Sequence, residues 1–148
     1  MAGDVKTYNP KDVIVVVNGV PISGFAEGTF VEAERSSDAF EKYVGTQGEV
    51  SRAKLADVSG SFTFTLAQTS PSNDFLSGIR QTDELTGGGV VAVSVTDLSG
   101  RTKLVGAMGW VRKAPKVELG KSISARAWAF DVAEFEVMVG GNAGLSGV

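Results

Sequence analysis

The chain has no cysteine and no histidine among its 148 residues. Without thiols there are no disulfides, zinc–thiolate sites or iron–sulfur clusters, and without imidazole there is no Ser-His-Asp triad. Long apolar runs are missing as well. The longest aliphatic stretch is "VIVVV", Val13 to Val17, far short of the ~20 residues that cross a bilayer, so no membrane insertion by this chain is expected. Nor is there an excess of positive charge, since 14 Lys and Arg are dispersed among 17 Asp and Glu for a net charge of −3. Tight binding to phosphates draws mainly on basic residues that release counterions; any nucleic acid that meets this chain is expected to pass ungripped. The start "MAGDVKTYNP" lacks the basic-then-apolar pattern of a signal peptide, so synthesis in a cytosol is expected.

What is present is ordinary in bulk and regular in detail. A hydrophobic fraction of 43% and a charged fraction of 21% fit a globular protein, and the length fits one domain, residues 1–148, with a full core. Turn signals recur between apolar runs. Asn18-Gly19 separates "VIVVV" from "VPI", the strongest short-range hairpin signal. Gly45 and Gly48 separate "FEKYV" from "EVSRAKL", and Asp97 to Gly100 separates "VAVSVT" from "RTKLVGA". Side chains alternate between the turns. Phe62, Phe64 and Leu66 share one face and Ser61, Thr63 and Thr65 the other, while Val91, Val93 and Val95 oppose Ala92, Ser94 and Thr96. In the run "SISARAWAFDVAEFEVMV" the apolar parity switches between Trp128, Phe130, Val132 and Ala133, Phe135, Val137, which predicts a bulge or a strand that passes from one sheet's packing to another's. The expected fold is all-β with one short helix, an antiparallel two-sheet sandwich or barrel.

Three segments depart from that pattern. Residues 38–57, "DAFEKYVGTQGEVSRAKLAD", read as a polar hairpin with charges of both signs, either solvated at a sheet edge or projecting to meet another subunit. The end of the chain, residues 142–148, is glycine-rich and is expected to be a flexible tail. "LAQTSPSNDFLSGI", residues 66–79, interrupts the strands for a helix. There Ser70 is expected at the N-cap and Pro71 at the first helical position, where its missing N–H costs nothing. Phe75, Leu76 and Ile79 form an apolar stripe about two turns long, too short to hold a helix alone, so the helix must dock on the sheet.

Motifs for chemistry fail on inspection. In "ELGKSI" a phosphate loop would need glycine where Pro115 stands, and a helix where a strand is expected. "TGGGVV" precedes a strand and is a loop. Glu32/Glu34 and Glu134/Glu136 each place two carboxylates on one strand face, a solvated pattern with nothing to bury one acid and raise its pKa. Trp110 and Trp128 lie in apolar β runs and read as core or interface residues instead of exposed stacking platforms. No catalytic residue, cofactor site or metal site is expected.

One ordered set of features is more specific. Asn18-Gly19, Ile22 with Gly24-Phe25, Gly45 through Gly48-Glu49-Val50, and Gln68-Thr69-Ser70-Pro71-Ser72-Asn73-Asp74 occur in sequence, followed by "VTDLSGRTKL" and "AWAFDVAEFEVMVGG". Together they cover about residues 8–141, and in them the chain resembles the tail tube proteins of contractile-tailed bacteriophages. The resemblance implies a structural subunit, not an enzyme. It implies homohexameric rings whose inner sheets join into one continuous β-barrel around a lumen and stack into a tube within the contractile sheath. The implied partners are the chain itself, the tail sheath, a baseplate or tube initiator, the tape-measure protein, and DNA in transit; the implied location is the virion. By the same analogy the helix faces the sheath and the hairpin reaches an adjacent ring, with Glu41, Lys42, Gly45, Gln47, Gly48, Glu49, Arg52 and Lys54 as inter-subunit contacts. A conduit must let DNA slide, so a net negative lumen is expected. Two alternatives remain open: the tube of a phage-derived bacteriocin or secretion apparatus, and a monomeric β-sandwich binding module.

Overall fold

The computed structural model describes residues 5–142. After a short 3-10 turn the chain forms β1 (Val13–Val17), β2 (Val20–Pro21), β3 (Val31–Arg35), β4 (Phe40–Val44), β5 (Val50–Lys54) and β6 (Gly60–Ala67). Helix α1 (Ser72–Thr86) follows, then β7 (Val91–Asp97), β8 (Lys103–Lys113), β9 (Ala125–Val132) and β10 (Phe135–Met138). Eight strands form one antiparallel sheet in the order β2-β1-β7-β8-β9-β6-β3, with β10 also pairing β8; β4 and β5 form a separate two-stranded sheet. The fold is therefore mostly antiparallel β with one helix, and the two layers that the alternation calls for are two halves of a single curled sheet around one core.

The alternating residues make that core. Phe62, Phe64 and Leu66 of β6, Val91, Val93 and Val95 of β7, Val15 and Val17 of β1, and Trp128, Phe130 and Val132 of β9 are all buried in one cluster. At its centre the aromatic rings of Phe62 and Phe64 lie 5.7 Å apart, and Phe130 lies 5.5 Å from Phe64, within the range of favourable tilted contacts.

The turns take the forms their residues call for. Asn18 and Gly19 both have positive φ, 50° and 78°, the type I′ geometry that matches strand twist. In the 38–57 hairpin Gly48 N–H donates to Gly45 C=O, Gly45 N–H donates to Glu49 C=O, and Gly48 has φ 89°. That is a type I turn closed by a left-handed glycine. Where the apolar parity switches, Ala133 and Glu134 form a bend between β9 and β10, so that Val132 and Phe135 are both buried. Beyond it Val137 is exposed, because β10 runs along the outside of β8. The break also takes Glu134 off the strand that was expected to carry it beside Glu136.

The helix differs from expectation in length and start. It runs fifteen residues, not two turns, because its second half holds by local means: Arg80 pairs with Glu84 at 2.7 Å, and Gly87, at φ 73°, donates its N–H to the Asp83 carbonyl. Pro71 occupies the N-cap and the helix begins at Ser72, one residue later than expected. The long β-rich run is likewise shorter than expected: β9 starts at Ala125, and residues 114–124 are irregular. Of the tail 142–148, residues 143–148 lie outside the described residues. Asn142 is not loose, since it bridges Gly100 and donates its amide to the Thr7 carbonyl at 3.1 Å.

The packing predicts a sharp contrast between the two faces of the sheet. Phe130→Ala should cost about 3–5 kcal/mol of folding stability by cavity formation. Thr63→Ala, on the outer face, should stay within about 0.5 kcal/mol. Urea unfolding followed by tryptophan fluorescence measures both, and equal losses would contradict this placement of the core.

Candidate interaction surfaces

Four polar side chains at the helix entry, Gln68, Ser70, Ser72 and Asn73, have partners. The Ser70 hydroxyl donates to the Ser23 carbonyl at 2.5 Å and accepts from Ser72 N–H at 3.2 Å, so it still performs a capping role from outside the helix. Ser72 Oγ accepts from Ser23 N–H at 3.1 Å. Asn73 donates to the Ala67 carbonyl at 3.0 Å, while its Oδ1 accepts from Trp128 Nε1 at 2.9 Å. Gln68 accepts through Oε1 from both the N–H and the hydroxyl of Ser124. A side chain at Gly24 would collide with Ser70, so glycine there lets the irregular segment after β2 lie against the helix entry. The segment 68–74 is thus a set of hydrogen bonds that ties the helix to the end of the sheet. Docking is completed by Leu76, fully buried, with Phe75 and Ile79 packed on the core beside it; Pro71 is exposed.

The 38–57 hairpin stands apart from the body. Every residue of β4 and β5 is exposed. Strand register divides it into two faces. One carries Phe40, Lys42, Val44, Val50, Arg52 and Lys54, with Lys42 directly opposite Arg52 and the Arg52 guanidinium 4.0 Å from the Phe40 ring centroid. The other carries Glu41, Tyr43, Ser51 and Ala53, with Glu49 at the turn beside Gly45; Gln47 and Gly48 form the tip. Opposed like charges destabilise a hairpin, and exposed Phe40, Tyr43, Val44 and Val50 gain nothing in water. The apolar content is higher than the reading of a polar hairpin allows for. Among the described residues none of Glu41, Lys42, Glu49, Arg52 or Lys54 forms an ion pair within the chain.

The base of the hairpin is clamped by one carboxylate. Asp57 Oδ2 accepts from the Ser37 hydroxyl at 2.5 Å, and Oδ1 accepts from the hydroxyl and N–H of Ser59 at 2.6 and 2.9 Å. These bonds, that from Ser37 first, lower its pKa from 3.8 to about 2. Nothing in the spacing of residues 37, 57 and 59 marks this clamp; it forms because the two legs of the hairpin return to the same place.

A third surface is the outer side of β3, β6 and β9. Register places Glu34, Ser61 and Asp131 in one row and Glu32, Thr63 and Ala129 in the next, with Thr65 beside Ala127 beyond them. Asp131 pairs with Arg112 of β8 at 3.1 Å. The rows are hydroxyls, carboxylates and methyl groups. Trp110, half-buried, lies opposite Asp131, whereas Trp128 is in the core. No group of His, Cys, Asp and Glu suited to a metal ion occurs among the described residues.

A family model described as "Bacteriophage PhiTE tail tube protein" matches residues 9–140. The chain is 30% identical, over 154 aligned positions covering 99% of it and 89% of the relative, to structural protein ORF10 of Pseudomonas phage KPP10. In fold it is similar to the tube-terminating cap of the anti-feeding prophage (TM-score 0.64, 9% identity, 97% of this chain and 95% of that one). It is also similar to a chain of the extended PVC sheath-tube complex, an extracellular contractile injection system (TM-score 0.59, 11% identity, 89% and 91%).

The two hydrogen-bonded anchors lead to separate predictions. Asn73→Ala strands the buried Trp128 N–H and should cost about 1–3 kcal/mol, with a changed Trp fluorescence maximum; unchanged stability would show that water replaces the amide. For Asp57 the folded pKa, about 2, lies below the unfolded 3.8, so the clamp is fully present above the unfolded value and is lost as pH falls through the folded one. NMR titration should find the Asp57 carboxyl and the Ser59 amide shifting together near pH 2, and a midpoint at the ordinary value would remove the clamp from the account.

Proposed function

The chain belongs to the bacteriophage PhiTE tail tube protein family, and from that membership we propose that it forms homohexameric rings stacked into the tube of a contractile tail. It is a structural protein of the phage tail, and the family is not one of enzymes. The match over residues 9–140 is the observation that carries the proposal, and the three surfaces give it a mechanism.

An isolated sheet with free edge strands is prone to pairing. Here β2 and β3 are the two ends of the main strand path, with β10 set beside β8 off that path, and joining β2 to β3 between neighbours closes the main path into a barrel. Along the axis, a head-to-tail contact that does not close produces an open filament. The rows of Ser61, Thr63, Thr65, Glu32 and Glu34 face the lumen. Those five side chains include no cation, and Arg112 beside them is paired with Asp131, so phosphates find little charge to hold them and DNA moves without tight adhesion through a lumen first filled by the tape-measure protein. The helix turns its exposed side to the sheath, a baseplate initiator nucleates the first ring, and the 38–57 arm reaches an adjacent ring. The arm's unpaired charges and exposed aromatic groups acquire partners there.

The fold shared with the anti-feeding prophage cap and the PVC sheath-tube complex favours a second reading, the tube of a phage-derived injection apparatus. Its mechanics are the same and its cargo differs.

Deleting residues 44–50 should leave a folded monomer that does not elongate, seen as a native circular dichroism spectrum with no tubes by negative-stain microscopy. The full-length chain, concentrated or seeded with its baseplate, should give hollow tubes. Normal tubes from the deletion would refute the arm's role; a full-length chain that stays monomeric with its baseplate would favour a monomeric binding module.

A further inference from the structure

A cavity of about 290 Å³ opens at the end of the sheet where β6 and β8 finish and β9 begins, beneath the start of α1. Gln68, Asn73, Arg80, Ala114, Arg126 and Trp128 are among its walls. Both arginines are incompletely satisfied there. Arg126 is only 7% exposed, yet its guanidinium donates solely to neutral acceptors: Ser124 Oγ at 2.6 Å and the carbonyls of Ala125 and Glu118 at 3.1 and 3.3 Å. Among the described residues no carboxylate pairs with it. Arg80 pairs through Nη1 with Glu84, but its Nε is buried without any hydrogen-bond partner. A buried, unneutralised guanidinium is costly, and an orphaned buried donor is uncommon enough to require a reason. A carboxylate entering this cavity supplies both needs, because it matches the planar fork of an arginine.

We propose that this cavity receives the carboxylate of Glu49, at the tip of the 38–57 arm, from the next copy of the chain along the tube. The inference rests on the tube reading above and names the site that the arm occupies. Strand register sets the geometry. The arm leaves at Arg35 and returns at Gly60, which are partners at one end of the β3–β6–β9 ladder. The cavity lies at the other end, where Ala67 pairs with Ala125 and Leu66 with Arg126. If β2 and β3 are the lateral edges, strand ends face along the axis, and head-to-tail stacking brings the arm end of one copy to the cavity end of the next. Each leg of the arm, about eight residues, extends roughly 25 Å, ample for crossing an axial boundary. Charge complementarity selects which face of the arm enters. Glu49 and Glu41 lie together with Tyr43 on the acidic face, and Lys42, Arg52 and Lys54 lie on the opposite one, directed away from the arginines.

The absence of native cysteine makes the test clean. A Ser51→Cys/Ala114→Cys double variant, which keeps Glu49 and uses a neighbour on the same face of the arm, assembled into tubes with its baseplate and oxidised, should give a ladder of covalent multimers on a non-reducing gel, since a disulfide forms only when the Cα atoms come within ~7 Å. Ser51→Cys/Val117→Cys serves if the first pair does not fold, because Val117 is an exposed wall residue. Glu49→Gln should in addition lower the yield of sedimentable tube by about tenfold. Tubes without a ladder from either pair, or undiminished yield from Glu49→Gln, would overturn the cavity assignment while leaving the tube intact. A wild-type chain that never assembles with its baseplate would overturn the tube reading, and this inference with it.

Discussion

The ladder between β6 and β9 is the constraint from which the rest follows. Continuous register from Gly60–Val132 to Ala67–Ala125 sets Phe62 opposite Phe130 and Phe64 opposite Trp128 on one side, and Ser61 opposite Asp131 and Thr63 opposite Ala129 on the other. A slip of one residue would exchange the two sides entirely, so burial of four aromatic rings locks the register. Once locked, the ladder assigns every functional feature an address. The arm springs from one end, the helix entry and the arginine cavity occupy the other, and the polar rows cover the outer side.

That arrangement separates stability from assembly. Core residues and the 68–74 hydrogen bonds stabilise the monomer, and the surfaces proposed for assembly contribute little to it. The hairpin illustrates this: Lys42 faces Arg52 across the strands, and the aromatic and aliphatic side chains around them remain in water. Groups that are unfavourable alone gain free energy only when a neighbour covers them, which makes association conditional on the correct partner. The Asp57 clamp holds the base of the hairpin, and under the proposed arm contact it would limit the conformational entropy lost on docking.

Local chemistry made much of the fold legible. The period-2 faces of β6 and β7, the Asn18-Gly19 turn and the Gly45–Gly48 turn depend on residues close in sequence, and their geometry follows from steric preference. The helix was harder to measure because its second half has no apolar stripe; its length depends on an i,i+4 ion pair and a glycine C-cap, signals weaker than periodicity. The start of β9 was misplaced because β-prone residues in "SIS" have no strand to pair with until Ala125.

By itself, then, the sequence determined the fold class, the turns, the core faces and a likeness to tail tube proteins. The first three depend on residue type and on spacing within a strand or turn, and the likeness on the order of short motifs along most of the chain. The tertiary structure alone decided that Arg126 and Arg80 line one cavity, that Asn73 meets Trp128, and that Ser37 meets Asp57. These relations join residues between about 20 and 55 positions apart, and the chain's curvature, not any local pattern, brings them together.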